Sequence, residues 1–422
     1  MDLLARYTAV SQEKSETSAA QLMAWCREYF RTRVNSRAID ERRCIPPSVV
    51  LEFGNHGVFG YHIDRAYGGT ALRARDWVRV LCQLGALDST ISQLVLINAL
   101  ANRPIASFGS QALKMELLPL LAKGRILGAF AQTEPVAGTN FMAMRTIAEP
   151  VDGGWRLNGD KIYIGNASWA GILSVMATTP GGAMVALAVR PDAPGLSIGP
   201  ELDSMGLRGV VQNAVRFDDV FVPTRDMIGG PTQGSEVAVD AMTFTRLGIA
   251  GQQLGCMKRS IQIMGRYARR RQIATGLLFD NAIGRSLLSE AITRARLCEA
   301  FAMRLADRVD QAVPVSLELA AAAKIVTTEC AGFIADRAVQ LLGGRGYDES
   351  NVLPRIVRDL RVTRIFEGPT EALATFLGKR LRHDLGARNF VTLSDDQSLT
   401  SRLQAAVQRV ADRQAASPPH PA

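Results

Sequence analysis

The residue with the clearest chemical potential is Glu367, in the stretch RIFEGPTEAL that spans Arg364 to Leu373. This carboxylate follows Phe366 and precedes Gly368-Pro369, a pair that breaks regular structure. Many glutamates in such a place are only solvated loop charges or charges at a helix start. A desolvated glutamate can instead act as a general base, because burial raises its pKa toward a useful range. The rest of the sequence must decide between these two interpretations.

Cysteine and histidine offer no competing chemistry by their spacing. The six cysteines are scattered without CxxC pairing, and the four histidines show no ligand-like spacing. We therefore expect neither a disulfide framework nor a metal site.

The charge balance favours anionic partners. Lysine and arginine number 49 against 40 aspartates and glutamates, which gives a net charge of +9. The densest cluster is GRYARRRQ, where four arginines fall on about one and a half helical turns, and a solvated helix face is its simplest interpretation. The N-terminal residues lack an apolar run of secretory or membrane-spanning length. We expect a cytoplasmic protein without membrane insertion.

Three patterns follow one another along the chain. Residues 1–123 are mostly helical in pattern, with a turn at Gly68-Gly69. Residues 124–235 are richer in Gly, Pro and Asp and contain short runs with strand-like alternation, with LNGDK resembling a hairpin turn. Residues 236–385 return to helix. The remaining residues, 386–422, form a basic tail with one weak amphipathic helix and an end that we expect to be disordered.

The second helical region carries three apolar stripes at helical spacing. The first runs from Leu247 to Ala268 and the second from Leu288 to Leu305. The third passes through Leu319, Ala323, Val326, Cys330 and Phe333. Long helices with such stripes pack as an antiparallel bundle, so the sequence predicts an α+β fold of helical, β and helical regions that ends in a helical bundle.

Five stretches in this order resemble one family. They are AQTEPVAGTN, GDKIYIGNA, GLRGVVQNAVRFDDVFVP, QLLGGRGY and RDLRVTRIFEGPTE. The chain resembles the acyl-CoA dehydrogenase family of FAD-dependent flavoproteins over about residues 15–385. The resemblance implies an N-terminal helical domain, a middle β domain and a C-terminal four-helix bundle. It also implies that FAD lies between the β domain and this bundle, with the acyl thioester against the flavin.

The resemblance assigns most of the FAD-binding residues to these stretches. Gln132 and Thr133 match positions at the isoalloxazine, and Thr139 matches a hydroxyl near both the flavin diphosphate and the thioester tail. Tyr163 matches an aromatic residue that stacks near the flavin ring. Arg271 matches an arginine at the adenosine half of FAD. Gln340 and Gly344 match a segment that reaches the adenosine half of the FAD bound to a neighbouring subunit.

The chain departs from the family at several of these positions. Gly165 stands where a Thr or Ser hydroxyl usually bonds near flavin N5, so we expect altered flavin reactivity. Ala274-Thr275 replaces the family's Phe-Gly, and Pro369 replaces a hydroxyl residue. The adenosine side of the cofactor site is therefore expected to differ most from the family pattern.

The resemblance also answers the question about Glu367. Thr245 occupies the place where a minority of the family has its catalytic carboxylate, and Thr cannot serve as that base. Glu367 is therefore the implied base, with Phe366 beside the substrate and Arg246 on the pantetheine or nucleotide side of the thioester. It removes the proton α to the thioester carbonyl while the β hydride passes to flavin N5, which gives a trans-2-enoyl product.

Several alternatives remain open for substrate and partners. The thioester could be carried by CoA or by an acidic acyl carrier protein, and an electron-transfer flavoprotein is the implied electron acceptor. The resemblance implies a homodimer or homotetramer. Other functions of the same fold are a flavin oxidase or monooxygenase and a DNA-binding stress-response flavoprotein. The arginine cluster would suit DNA phosphates, but no groove-reading element is apparent, which disfavours DNA.

Overall fold

The structure is a computed structural model that describes residues 11–386. The first helical region contains α1 (Gln12–Arg33), α2 (Ser36–Arg42), α3 (Pro47–Asn55), α4 (Ala74–Leu87), α5 (Ser89–Phe108) and α6 (Gln111–Ala122). Side-chain caps start several of these helices. Asp88, for example, accepts a hydrogen bond from the N–H of Ile91 at the start of α5. The predicted turn is present, with Gly68 in the left-handed region at φ 77°.

A mixed sheet follows. Its strands are β1 (Leu127–Ala131), β2 (Ile147–Val151), β3 (Gly154–Gly165), β4 (Ala170–Thr178), β5 (Met184–Val189), β6 (Leu196–Glu201), β7 (Gln212–Pro223) and β8 (Met227–Ile228). The spatial order is β6-β7-β3-β2-β4-β5-β8, and β1 pairs in parallel with β4. Alternate side chains such as Val215 and Phe217 are buried in its core, as the sequence pattern predicts.

The predicted hairpin turn at LNGDK is wrong. Residues 157–161 lie inside the continuous strand β3, and the chain turns earlier, at Asp152-Gly153. The register of β3 against β7 shifts between Leu157 and Gly159, which marks a β-bulge. Gly159 has φ 147°, and an added Cβ there would stand 2.6 Å from the Thr146 hydroxyl. The Asn-Gly pair therefore serves a bulge and a close approach of two strands.

The second helical region contains α7 (Gly234–Ala268), α8 (Ala282–Asp310), α9 (Leu317–Leu342), α10 (Gly344–Tyr347), α11 (Leu353–Arg361) and α12 (Thr370–Gly386), with two short strands, β9 (Gln272–Ile273) and β10 (Gly276–Leu277), between α7 and α8. Helices α7, α8 and α9 share one apolar core. The order of helical, β and helical regions confirms the predicted fold class.

One of the three predicted stripes is displaced. The stripes of α7 and α8 are buried as predicted, but Val326 in the third stripe is 40% exposed. The buried face of α9 is instead offset from that stripe and includes the small residues Ala320, Ala331 and Ala335. The predicted stripe was drawn mainly through large apolar residues, whereas the close packing of α9 against α7 and α8 buries small residues.

Residues from 374 onward are assigned to a second unit of the chain, apart from residues 11–373. Of this unit the structure describes residues 374–386, which continue α12. The predicted basic tail, apart from its first residue, lies outside the described residues. Within residues 11–386 no helix is long and apolar enough to cross a membrane.

Candidate active site

The position of Glu367 is set by an irregular segment between two helices. A short 3-10 helix, Val362–Arg364, follows α11, and α12 begins at Thr370. Glu367 and Gly368 between them have φ 54° and 97°. A non-glycine residue in the left-handed region is held there by its surroundings, and such backbone conformations cluster at functional sites. The Gly-Pro pair thus accompanies a turn that fixes the direction of the Glu367 side chain.

The Glu367 carboxylate is desolvated but remains close to positive charge. Its Oε2 atom is buried and has no hydrogen-bond partner among the described residues. Burial raises the pKa of Glu367, while the nearby charges of Arg246 and Lys324 lower it. A carboxylate with a raised pKa and an unused acceptor oxygen has the properties of a general base.

Two buried cations hold the backbone of this segment. The Arg246 guanidinium donates to the carbonyl oxygen of Glu367 from Nε at 3.2 Å and from Nη2 at 3.0 Å. Lys324 Nζ donates to the carbonyl oxygen of Gly368 at 2.7 Å. Arg246 lies on α7 and Lys324 on α9, so both long helices contribute.

The sequence reasoning missed Lys324. Burial lowers its pKa to about 8, against the opposing effect of Glu367. The signal in the sequence was a single lysine in the apolar run AAAAKIV, on the helix face that packs inward. A lysine in such a place is buried only when its ammonium has a partner.

Thr245 is buried and hydrogen-bonded within its own helix. Its hydroxyl donates to the carbonyl oxygen of Ala241 at 2.8 Å, one turn earlier in α7. Phe366 packs against the apolar core that is built mainly by the first helical region, as does Ile97 of α5. The predicted contacts of Phe366 and Arg246 with substrate stay predictions.

A buried ion pair joins two of the family-like motifs. Lys161 of β3 donates to Glu134 at 2.8 Å and to the carbonyl oxygen of Gln132 at 3.1 Å. Glu134 also accepts from the backbone N–H groups of Arg145 and Thr146. Burial raises the pKa of Glu134, but these bonds bring it below its ordinary value. The Thr-Glu-Pro segment is thus fixed to β3 from inside the protein.

The side of this segment that would meet the flavin ring fits such a group. The N–H of Ile162 donates to the Thr133 carbonyl oxygen at 2.9 Å, whereas the side-chain oxygen of Gln132 is buried without a partner among the described residues. Tyr163 has φ 58° at a register break in β3, and it is 62% exposed. An unpaired amide and an outward-facing aromatic ring are suited to a planar polar ligand.

The structure gives a reason for Gly165. A Cβ added there would lie 2.7 Å from Cδ1 of Ile97, so the α5 side chain fills the space of the family's hydroxyl residue. Ile97 was also missed by the sequence reasoning, because the contact joins residues far apart in the chain.

The remaining predicted cofactor residues are exposed on the surface: Thr139, Arg271, Gln340 and Gly344. Their contacts with FAD stay predictions. Among residues 11–386, no three His, Cys, Asp or Glu side chains are grouped to hold a metal ion.

Three models of one family match the chain. They are the acyl-CoA dehydrogenase N-terminal domain at residues 16–125, the middle domain at 129–220 and the C-terminal domain at 232–382. Together they cover well over half of the chain. The chain therefore belongs to the acyl-CoA dehydrogenase family, and the predicted family, FAD cofactor and oxidoreductase class are confirmed.

Curated relatives are similar over most of their length. An acyl-CoA dehydrogenase of Bacillus subtilis (strain 168) is 29% identical over 342 residues, which is 80% of this chain and 90% of the relative. An acryloyl-CoA reductase (NADH) of Anaerotignum propionicum is 29% identical over 340 residues, 79% of this chain and 86% of the relative.

Solved structures agree with this membership. Butyryl-CoA dehydrogenase of Megasphaera elsdenii superposes with a TM-score of 0.83 at 26% identity, over 86% of this chain and 98% of that one. A glutaryl-CoA dehydrogenase of Mycobacterium smegmatis in complex with FADH2 superposes with a TM-score of 0.82 at 26% identity, over 88% of this chain and 96% of that one.

Proposed function

We propose that this chain is an FAD-dependent dehydrogenase that introduces an α,β double bond into an acyl thioester, with Glu367 as the base. The observation that carries the proposal is the state of Glu367. Its carboxylate oxygen Oε2 is buried and unpaired among the described residues, while Arg246 and Lys324 hold the backbone carbonyls of Glu367 and Gly368. General-base catalysis needs this combination of fixed position and raised pKa.

The chemistry divides between the chain and its cofactor. Bound FAD supplies the acceptor for the hydride that leaves the β carbon. Glu367 takes the α proton onto a carboxylate oxygen, and its backbone N–H is assigned to the thioester carbonyl, where negative charge develops. Arg246 and Lys324 leave this oxygen free because they bind backbone carbonyls instead.

The flavin-binding side is assigned to the segment held by the Lys161–Glu134 pair. Gln132 and Thr133 would contact the ring edge, and Tyr163 its face. Ile97 and Gly165 would present a hydrocarbon surface near flavin N5 in place of a hydroxyl. This supports altered flavin reactivity at that position.

We propose an acyl-CoA or an acyl carrier protein thioester as substrate and an electron-transfer flavoprotein as electron acceptor. The printed names of the curated relatives favour CoA esters. The prolyl acyl carrier protein oxidase AnaB has the same fold, with a TM-score of 0.82, but at 22% identity this likeness concerns the fold alone. The net charge of +9 suits either anionic carrier.

We also propose that the chain works as a homodimer or homotetramer in the cytoplasm. The segment from Gln340 to Tyr347, which resembles a contact to a neighbour's cofactor, is largely exposed, and Tyr347 is 83% exposed. An aromatic side chain so placed is well suited to a subunit contact.

The test is anaerobic reduction of the bound flavin by a panel of thioesters on both carriers. Loss of oxidised-flavin absorbance together with an enoyl product supports dehydrogenation, and the faster carrier identifies the substrate class. A protein that binds FAD but is reduced by no thioester on either carrier would contradict the proposal.

A further inference from the structure

Two cysteines meet where α8 packs against α9. The thiols of Cys298 and Cys330 are neighbours across this helix interface. The Cys298 sulfur also lies 3.9 Å from the carbonyl oxygen of Val326, one turn before Cys330. Small neighbours such as Ala295 and Ala331 are buried on these two helices, which allows their backbones to come close.

The two thiols have different surroundings. Cys298 is fully buried, whereas Cys330 is half-buried. The guanidinium of Arg294, one turn before Cys298 on α8, lies beside Cys330. The same guanidinium pairs with Glu290 at 2.8 Å and lies over the ring of Phe333 at 4.2 Å. A cation is thus fixed beside the more accessible thiol.

These contacts favour the thiolate of Cys330. The neighbouring Cys298 thiol and the Arg294 guanidinium lower the pKa of Cys330, although burial and the nearby Glu329 charge raise it. The contact with Cys330 and burial both raise the pKa of Cys298. A reactive thiolate beside a protonated second thiol is the arrangement found in cysteine pairs that respond to oxidants.

We propose that Cys298 and Cys330 form a reversible redox pair that peroxide converts into an intramolecular disulfide. The Cys330 thiolate attacks one peroxide oxygen, which breaks the O–O bond, gives a sulfenic acid at Cys330 and releases the other oxygen as water after it takes a proton. Cys298 sulfur then attacks the Cys330 sulfur, loses its proton and expels the sulfenic oxygen as a second water. Two thiols are oxidised and one peroxide is reduced to two waters.

The experiment treats the full-length FAD-loaded protein with about one equivalent of hydrogen peroxide and then counts thiols after denaturation. All six cysteines are free in the structure. The count should fall from six to four, and non-reducing peptide mass spectrometry should find one Cys298–Cys330 link that dithiothreitol reverses. Since thiol chemistry is read directly, the result does not depend on the proposed dehydrogenase activity.

Variants distinguish the role of Cys330, which reacts with peroxide, from that of Cys298, which completes the disulfide. Cys298→Ala should leave Cys330 as a sulfenic acid that dimedone traps, and Cys330→Ser should abolish the loss of two thiols. Arg294→Gln should slow disulfide formation at neutral pH by roughly tenfold, because less of Cys330 is thiolate. Cys44→Ser is the matched control, since Cys44 is an exposed cysteine with no second thiol in contact, and this change should leave the link unaffected.

Two results would overturn the proposal. One is oxidation of Cys44 or another cysteine while Cys298 and Cys330 stay reduced. The other is oxidation of Cys330 in the parent protein directly to the irreversible sulfinic or sulfonic acid, without a disulfide to Cys298.

Discussion

Arg246 and Glu367 are joined through the backbone, because the Arg246 guanidinium donates two hydrogen bonds to the Glu367 carbonyl oxygen, at 3.0 and 3.2 Å. Lys324 repeats this arrangement one residue later, at the carbonyl oxygen of Gly368. The cations therefore stabilise the left-handed conformation of Glu367 without binding its carboxylate. This separation lets the side chain stay near positive charge and still accept a proton.

Lys324→Met should lower kcat by about 10- to 100-fold while KM and FAD content change little. The change removes a charged hydrogen bond of about 1.5–3 kcal/mol from a strained segment, so the base loses its fixed position. Steady-state kinetics of the flavin-loaded enzyme measure this, and Lys324→Arg, which keeps the charge, should retain most of the activity. A rise in KM at constant kcat would instead place Lys324 on the substrate. The same pattern in Arg246→Ala would favour the substrate contact that the family resemblance implies for that residue.

The rate of flavin reduction should follow a bell-shaped pH profile. Glu367 works only when ionised, and burial raises its pKa, so the rate should rise with pH at values above the ordinary carboxyl range. Lys324 holds Gly368 best as the ammonium, and its pKa is lowered to about 8, so the rate should fall above about pH 8. Lys324→Arg should move the falling limb to higher pH. A falling limb unchanged in that variant would assign it to another group.

Breaking the Lys161–Glu134 pair should release FAD and destabilise the protein. Lys161→Met leaves the Glu134 carboxylate buried without its counter-charge, and such changes cost about 3–5 kcal/mol. The segment that carries Gln132 would then lose its fixed position. Flavin absorbance per chain and denaturant unfolding measure the two effects. Arg37→Ala removes an exposed pair with Glu41 and should change the free energy of unfolding by only about 0–1 kcal/mol. Full FAD content in Lys161→Met would argue against this role of the pair.

Gly165→Thr should be tolerated only when Ile97 is reduced in size. The new Cβ would stand 2.7 Å from Cδ1 of Ile97 and 3.3 Å from its Cγ2, so rotation of the Cδ1 end alone would not relieve the contact. Overpacking of this kind costs about 1–3 kcal/mol. The double variant Gly165→Thr with Ile97→Ala should recover FAD binding that the single variant loses, as flavin titration would show. Equal FAD affinity in the parent and in Gly165→Thr would mean that Ile97 does not explain the glycine.

The sequence was sufficient for the features carried by local pattern. The order of the three regions and the stripes of α7 and α8 could be read from spacing and residue type, whereas the motif around Glu367 was recognised only through its resemblance to the family. The turn at LNGDK was misread because an Asn-Gly pair serves a β-bulge as readily as a hairpin turn. In α9 the larger residues, including Val326, misled the prediction, since close helix packing buried the alanines instead.

The contacts that shape the candidate site could not be predicted in this way. Ile97 meets Gly165, and Lys324 meets Gly368, across separations in sequence that no local pattern encodes. The Lys161–Glu134 pair likewise links two motifs that were each recognised alone. Their effect on flavin and base is set by tertiary packing.

Glu367→Gln tests the central claim most directly. The variant keeps the size of the side chain and its backbone N–H but removes the proton acceptor, so FAD content and thioester binding should persist. Anaerobic stopped-flow measurement with the best thioester should show flavin reduction slowed by about 10²- to 10⁴-fold. Glu149→Gln changes an exposed glutamate of strand β2 and should stay near the parent rate. Flavin reduction in Glu367→Gln at nearly the parent rate would contradict the account and leave Glu367 as a loop charge.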